Sequence, residues 1–226
     1  MILENLTKSF PADRKETEGK LMYNFTLQIP TKIHFGKDTI SYLSELKEYG
    51  DKVLLVYGGG SIKKNGIYDT AMQLLKDAAL TVFELSGVEP NPRIETVRKG
   101  VAICKEEGID MVLAIGGGST IDCSKVIAAG AKYDGDAWDL VLDATKIKAA
   151  LPIFDVLTLS ATGTEMDPFA VISDLTKNEK WGTGSPYMVP TMSILNPEYT
   201  YSVSKKQTAA GTADMMSHTM ENYFSM

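Results

Sequence analysis

Cysteine and histidine are scarce, with two of each in 226 residues. Cys104 and Cys123 form no CxxC pair, lie near neither histidine, and occupy places where an apolar helical residue would serve, so both read as plain buried thiols. That excludes a disulfide framework and a cysteine-based zinc module. Long apolar runs are missing too. Val53–Tyr57 and Met111–Ile115 are strand-length and end at glycines, well short of the roughly 20 residues that cross a bilayer, so no membrane association is expected. Met1 to Lys20 carries no apolar core of the secretory kind, which makes the cytoplasm the expected location. Positive charge is in deficit: 23 Lys and Arg against 29 Asp and Glu leave a net charge of -6, which gives no general attraction to nucleic acid. The remainder, 44% hydrophobic and 23% charged with 19 glycines and 9 prolines, excludes disordered and collagen-like chains.

From about Thr31 onward, strand-like and helix-like segments alternate, the pattern of a mostly parallel sheet with helices on both faces. Lys52–Tyr57 runs into Gly58-Gly59-Gly60, a helical stretch follows through Tyr68, Met72, Leu75 and Ala79, and Thr81–Leu85 is the next strand. After Pro90-Asn91-Pro92, apolar residues recur at helical spacing from Ile94 to Cys104 until Gly108 closes the helix. Met111–Ile115 is another strand, ending at Gly116-Gly117-Gly118-Ser119, and Pro152–Leu159 a further one, ending at Ser160-Ala161-Thr162-Gly163-Thr164. Both long strands are unbroken apolar runs, as a sheet covered on two faces requires. Tyr23–Phe35 alternates and is expected to form a hairpin turning near Pro30-Thr31. Beyond Asn196-Pro197 the texture becomes helical, with Ser204 and Gln207 in a capping-box pattern. The expected organisation is an unassigned segment at 1–21, a Rossmann-like doubly wound α/β domain at 22–200 that binds a dinucleotide, and the incomplete start of an all-helical domain at 201–226.

Two glycine turns joining a strand to a helix let backbone approach a phosphate, whose charge then meets free N–H groups at the helix start. Neither turn is a GxGxxG, because Lys63 and Ile121 occupy the third glycine position. The sheet rule places ligands at strand C-termini, which adds the Thr158–Thr164 loop to the candidate nucleotide site. Ser61 and Ser119 are equally natural helix N-caps. Asp214 and His218, four apart on a helical stretch, point to one face and have the spacing of divalent-metal ligands or of a surface ion pair. The only other histidine, His34, lies far upstream, so further ligands are not evident. Met215, Met216 and Met220 read as packing residues rather than sulfur ligands.

Five motifs in order, Tyr57-Gly58-Gly59-Gly60-Ser61, Pro90-Asn91-Pro92, Gly116 to Asp122, Thr158 to Glu165 and Gly211 to His218, resemble those of the iron-containing (group III) alcohol dehydrogenases. Within that family the chain looks most like the NADPH-dependent butanol dehydrogenases. The resemblance runs from about Met22 to the C-terminus. It implies an oxidoreductase that interconverts a small primary alcohol and its aldehyde by hydride transfer, acting as a homo-oligomer, with Fe2+ or Zn2+ as Lewis acid in a cleft between two domains. It also implies that Gly117, Gly118 and Ser119 contact the cofactor pyrophosphate. Thr158, Thr162 and Lys180 match positions that touch the adenine or ribose portions and the nicotinamide-side ribose. Asp214 and His218 match the first two of four metal ligands, and the two further histidines of the family come from downstream, so the chain reads as truncated within the helical domain. Asp167 departs from the Asn common in relatives. No residue within the chain is assigned as catalytic.

NADP(H) is expected over NAD(H), because the strand ending at Tyr57 is followed by Gly58, Gly59, Gly60 and Ser61 and then Lys63 and Lys64, with no carboxylate to repel a 2′-phosphate. Two other readings stand beside this one: an enzyme of the glycerol dehydrogenase and dehydroquinate synthase group, and a nucleotide-binding fragment without catalysis.

Overall fold

The computed structural model describes residues 28–224. In chain order its strands are β1 (Lys32–Phe35), β2 (Lys52–Tyr57), β3 (Thr81–Leu85), β4 (Met111–Gly116), β5 (Ile153–Leu157), β6 (Phe169–Asp174), β7 (Glu179–Gly184) and β8 (Met192–Leu195). Six of them form one sheet in the order β1-β8-β5-β4-β2-β3, with every neighbouring pair parallel. β6 and β7 form a separate antiparallel pair. The helices are α1 (Ser61–Lys64), α2 (Ile67–Asp77), α3 (Ile94–Glu107), α4 (Gly118–Gly130), α5 (Ala137–Leu142) and α6 (Lys205–Phe224).

The pleat sends alternate residues of each strand to opposite faces, and both faces are dry. Val53 and Leu55 of β2 pack with Ala71 and Leu75 of α2, and with Leu43 and Leu46 of a 3-10 helical segment at Thr39–Tyr49. Leu54 and Val56 pack on the other side with Val97 and Val101 of α3 and with Val126 and Ile127 of α4. The result is the doubly wound α/β architecture. Gly100 makes the approach of α3 to α4 possible, since a Cβ there would lie 2.4 Å from Ile127 Cδ1. Gly108 ends α3 in the left-handed region, at φ 62°, where a side chain would be strained. Cys104 and Cys123 are both buried and free, and burial alone pushes the Cys104 thiol up to about 12.

Among the described residues Lys32–Phe35 lies at the sheet edge, parallel to β8, with Lys32 opposite Met192 and Phe35 opposite Leu195. Most of the other arm of the expected Tyr23–Phe35 hairpin, and the segment 1–21, lie outside the described residues. Ser204 does cap α6, its hydroxyl oxygen accepting from the Gln207 N–H at 3.3 Å. No side chain of α6 is buried. No helix among the described residues is long and apolar enough to cross a membrane.

Candidate nucleotide site at the sheet switch point

The order of the sheet reverses between β2 and β4. From β2 the chain goes outward to β3 and then returns to lay β4 on the opposite side of β2, so a crevice opens beyond the carboxyl ends of these two strands. Both strands end there in a glycine turn, with Tyr57 paired beside Ile115. The turns themselves nearly meet: a Cβ on Gly58 would lie 3.3 Å from the Val88 carbonyl oxygen and 3.9 Å from Thr120 Oγ1. Gly60 has φ 94°, the left-handed bend that starts α1. α4 begins at Gly118, after Gly117, which has no side chain with which to cap the first-turn amides.

The Thr158–Thr164 loop folds over the second turn. The Thr158 N–H donates to the Gly116 carbonyl at 2.9 Å. A Cβ on Gly117 would sit 3.2 Å from Leu159 Cβ, and one on Gly118 would sit 3.5 Å from Thr162 Oγ1. Gly117, Gly118, Thr158 and Thr162 are therefore together, and Gly58 adjoins them through Thr120, with Gly59 and Ser61 following it in the first turn and at the start of α1. Around Gly59 and Gly60 the space is open, with nothing within 4 Å of an added Cβ. Lys180 lies on β7, where its Nζ donates to Asn91 Oδ1 at 2.7 Å, tying the hairpin to the Pro90-Asn91-Pro92 turn. Lys63 sits over two rings, its Nζ 5.0 Å from the centroid of Tyr57 and 4.3 Å from that of Tyr68. Both phenols donate to the Glu84 carboxylate, at 2.7 and 2.9 Å.

Sequence reading passed over the groups that hold this loop in place. Lys125, fully buried on α4, directs Nζ at Thr164 Oγ1, at the Asp167 carbonyl and at the Phe169 carbonyl, each at 2.8 Å, and at Asp167 Oδ1 at 2.9 Å. Three N–H groups serve four acceptors, so the ammonium is fully satisfied without water. Asp122, one turn earlier, accepts from the Thr164 hydroxyl at 2.6 Å and the Val171 N–H at 3.0 Å. Burial raises the Asp122 carboxyl, while those two bonds and the Lys125 charge pull it down. A sequence signal did exist: two opposite charges three apart on a helix whose other residues, Ile121, Cys123, Val126 and Ile127, are apolar. Asp167, singled out for replacing Asn, turns out to face Lys125.

Asp214 and His218 lie on one face of α6, with His218 Nε2 3.7 Å from Asp214 Oδ1 and both side chains about half exposed. No group of three or more His, Cys, Asp or Glu able to hold a metal ion exists among the described residues. A divalent ion of this kind takes four or more ligands, so the described residues do not complete an iron or zinc site, and no chemistry is routed through one here.

Residues 30–197 match the family model of the iron-containing alcohol dehydrogenases. The chain belongs to that family. NADH-dependent butanol dehydrogenase A of Clostridium acetobutylicum is 62% identical over 205 residues, which are 90% of this chain and 53% of that protein. The NADPH-dependent aldehyde reductase YqhD of Escherichia coli is 42% identical, over 89% of this chain and 52% of its own. Among solved structures, NADH-dependent butanol dehydrogenase A of Thermotoga maritima superposes with a TM-score of 0.87 at 47% identity, covering 90% of this chain and 52% of that one. The chain thus spans about half the length of these relatives.

Proposed function

We propose that this chain is the nucleotide-binding part of an alcohol dehydrogenase that interconverts a small primary alcohol and its aldehyde with a nicotinamide dinucleotide, in the cytoplasm and as a homo-oligomer. The observation that carries the reading is the pair of glycine turns meeting at the switch point under the threonine loop. In it Gly117, Gly118 and Ser119 would hold the pyrophosphate at the start of α4, where a helix terminus stabilises an anion by about 0.3–1 kcal/mol when exposed and more when partly enclosed. Thr158 and Thr162 would contact the ribose and adenine portions, and Lys180 would reach the nicotinamide-side ribose on leaving Asn91. Gly58, Gly59 and Ser61 would surround the adenosine 2′ position.

When bound, the cofactor supplies the hydride. The work of the chain is to place it, which Lys125 and Asp122 assist by pinning Thr164 beside Gly118. We also propose that the 2′ position is not read by a carboxylate and that NADP(H) is favoured. The open space at Gly59 and Gly60 supports this, as does the NADPH dependence named for the Escherichia coli relative, whereas the Clostridium and Thermotoga relatives are named for NADH. Free buried cysteines suit a reducing compartment. Exposed Met216 and Phe224 on α6 support association between copies. With no group of three or more metal donors among the described residues, we propose that the 226-residue chain binds nucleotide and turns over little. Fluorescence titration of the purified chain with NADPH and NADH tests the reading: saturable binding that weakens on Gly118→Val is expected, and no binding of either nucleotide sinks it.

A further inference from the structure

Asp155 lies in the middle of β5, in the heart of the sheet, and is fully buried. Its Oδ2 is 2.6 Å from Ser193 Oγ on the neighbouring β8. The same hydroxyl is 2.8 Å from the carbonyl oxygen of Glu165, at the end of the threonine loop. A serine carries one hydroxyl hydrogen and can give it to one of these two acceptors at a time. The Glu165 carbonyl can only accept. If the hydroxyl donates to Glu165, the short contact with Asp155 must be filled by a hydrogen from the carboxyl side. The second carboxyl oxygen, Oδ1, is enclosed without a hydrogen-bond partner among the described residues. An ionised carboxylate with one oxygen stranded in this way would cost several kcal/mol, whereas the carbonyl of a neutral acid costs much less to leave unpaired.

We infer that Asp155 is a neutral carboxylic acid that donates to Ser193 Oγ, and that Ser193 in turn donates to the Glu165 carbonyl, making the pair a positioning device for the loop that closes over the second glycine turn. The charged groups that face Asp155 are Glu165, which disfavours ionisation, and Lys125 of α4, which favours it, and burial outweighs both. The relay also explains why a polar pair sits at two adjacent central strands, Asp155 being in register with Ser193, where hydrophobic residues surround it. Its role in nucleotide binding rests on the function proposed above, but its protonation does not.

The sign of the pH dependence follows from the raised titration. The folded chain keeps a proton that the unfolded chain releases above about pH 4, so the contribution is complete below that value and is lost as pH rises toward the folded titration. Asp155→Asn keeps the donor to Ser193 and removes the proton linkage. Above about pH 4 the folding constant of the wild-type chain, relative to Asp155→Asn, is expected to fall as pH rises, by at most about tenfold per pH unit. Parallel pH profiles for the two proteins would overturn the inference. The loop is read separately by amide hydrogen exchange over 159–167, which should quicken in Ser193→Ala and in Asp155→Ala and stay near wild type in Asp155→Asn. Equal exchange in all four proteins would also overturn it. NADPH affinity should follow the same order, with the Asn variant close to wild type. A wild-type chain that binds no nucleotide, yet shows the pH linkage and the exchange pattern, would remove the nucleotide reading and leave the relay supported.

Discussion

Lys125 Nζ and Asp167 Oδ1 stand 2.9 Å apart, the lysine with no solvent exposure and the aspartate about one-third exposed. The pair joins α4 to the start of the β6–β7 hairpin, directly beneath the loop that covers the second glycine turn. Replacing Lys125 by Met keeps the length of the side chain and takes the ammonium away from Thr164, Asp167 and two carbonyls, although Thr164 keeps Asp122 and Asp167 keeps the Phe169 N–H. Removing one partner of a buried pair costs about 3–5 kcal/mol. Urea denaturation of Lys125→Met should show a loss toward the lower end of that range, because Asp167 retains some water. Asp167→Asn, which still offers an oxygen to the ammonium, should cost about 1 kcal/mol. A midpoint unchanged in Lys125→Met would show that the hub contributes nothing.

The proposed preference for NADP(H) should turn on one residue. A carboxylate at position 59 would stand in the open space beside the first turn, accept from a ribose 2′-hydroxyl and repel a 2′-phosphate. Gly59→Asp should shift the ratio of NADPH to NADH affinity toward NADH by about tenfold or more, equivalent to about 1.4 kcal/mol. Tighter NADH than NADPH binding in the wild type, or a ratio untouched by the substitution, would refute the preference. Lys63→Ala should change the ratio little, since its ammonium is held over Tyr57 and Tyr68.

Two donors on one helical turn lack the closure that makes a chelate tight. After dialysis the 226-residue chain should retain far less than one iron or zinc per chain by elemental analysis. Retention near one equivalent, abolished by His218→Ala, would mean that copies of the chain complete the site together.

Met216, Met220, Tyr223 and Phe224 are each at least half exposed on α6, which buries none of its own side chains. A chain ended after Tyr201 should sediment with less association than the 226-residue chain, unfold at nearly the same urea midpoint and bind nucleotide about as well. Identical sedimentation of the two would remove α6 as the cause of association.

The strands most legible in the sequence were those buried on both faces. Val53–Tyr57 and Met111–Ile115 are continuous apolar runs ended by glycine, and they are β2 and β4. Thr81–Leu85, partly exposed, was legible from its place after a helical stretch and is β3, whereas other short or polar strands escaped. β7 reads Glu-Lys-Trp-Gly-Thr-Gly and rests on one face only, while β8 carries Ser193 at its centre. The glycine turns and the threonine loop were visible because small residues at strand ends have few other uses. Lys125 and Asp122 were hidden by distance: their partners, Thr164, Asp167, Phe169 and Val171, follow some forty residues later, and no local periodicity links them. Lys180 was visible as a residue but not as a contact to Asn91, for the same reason.

The edge position of β1 has a consequence during synthesis. Among the described strands, β1 is the first of the sheet to leave the ribosome, and its described partner, β8, is the last. At about 5–20 residues per second, the interval between the two is on the order of 10 s. Throughout that interval Lys32–Phe35 lacks the backbone acceptors and donors that β8 supplies, while β2, β3, β4 and β5 can already pair with one another. The nascent chain therefore carries a finished four-stranded centre and one waiting strand, and the moment Leu195 emerges is the moment at which the sheet first closes on its own beginning.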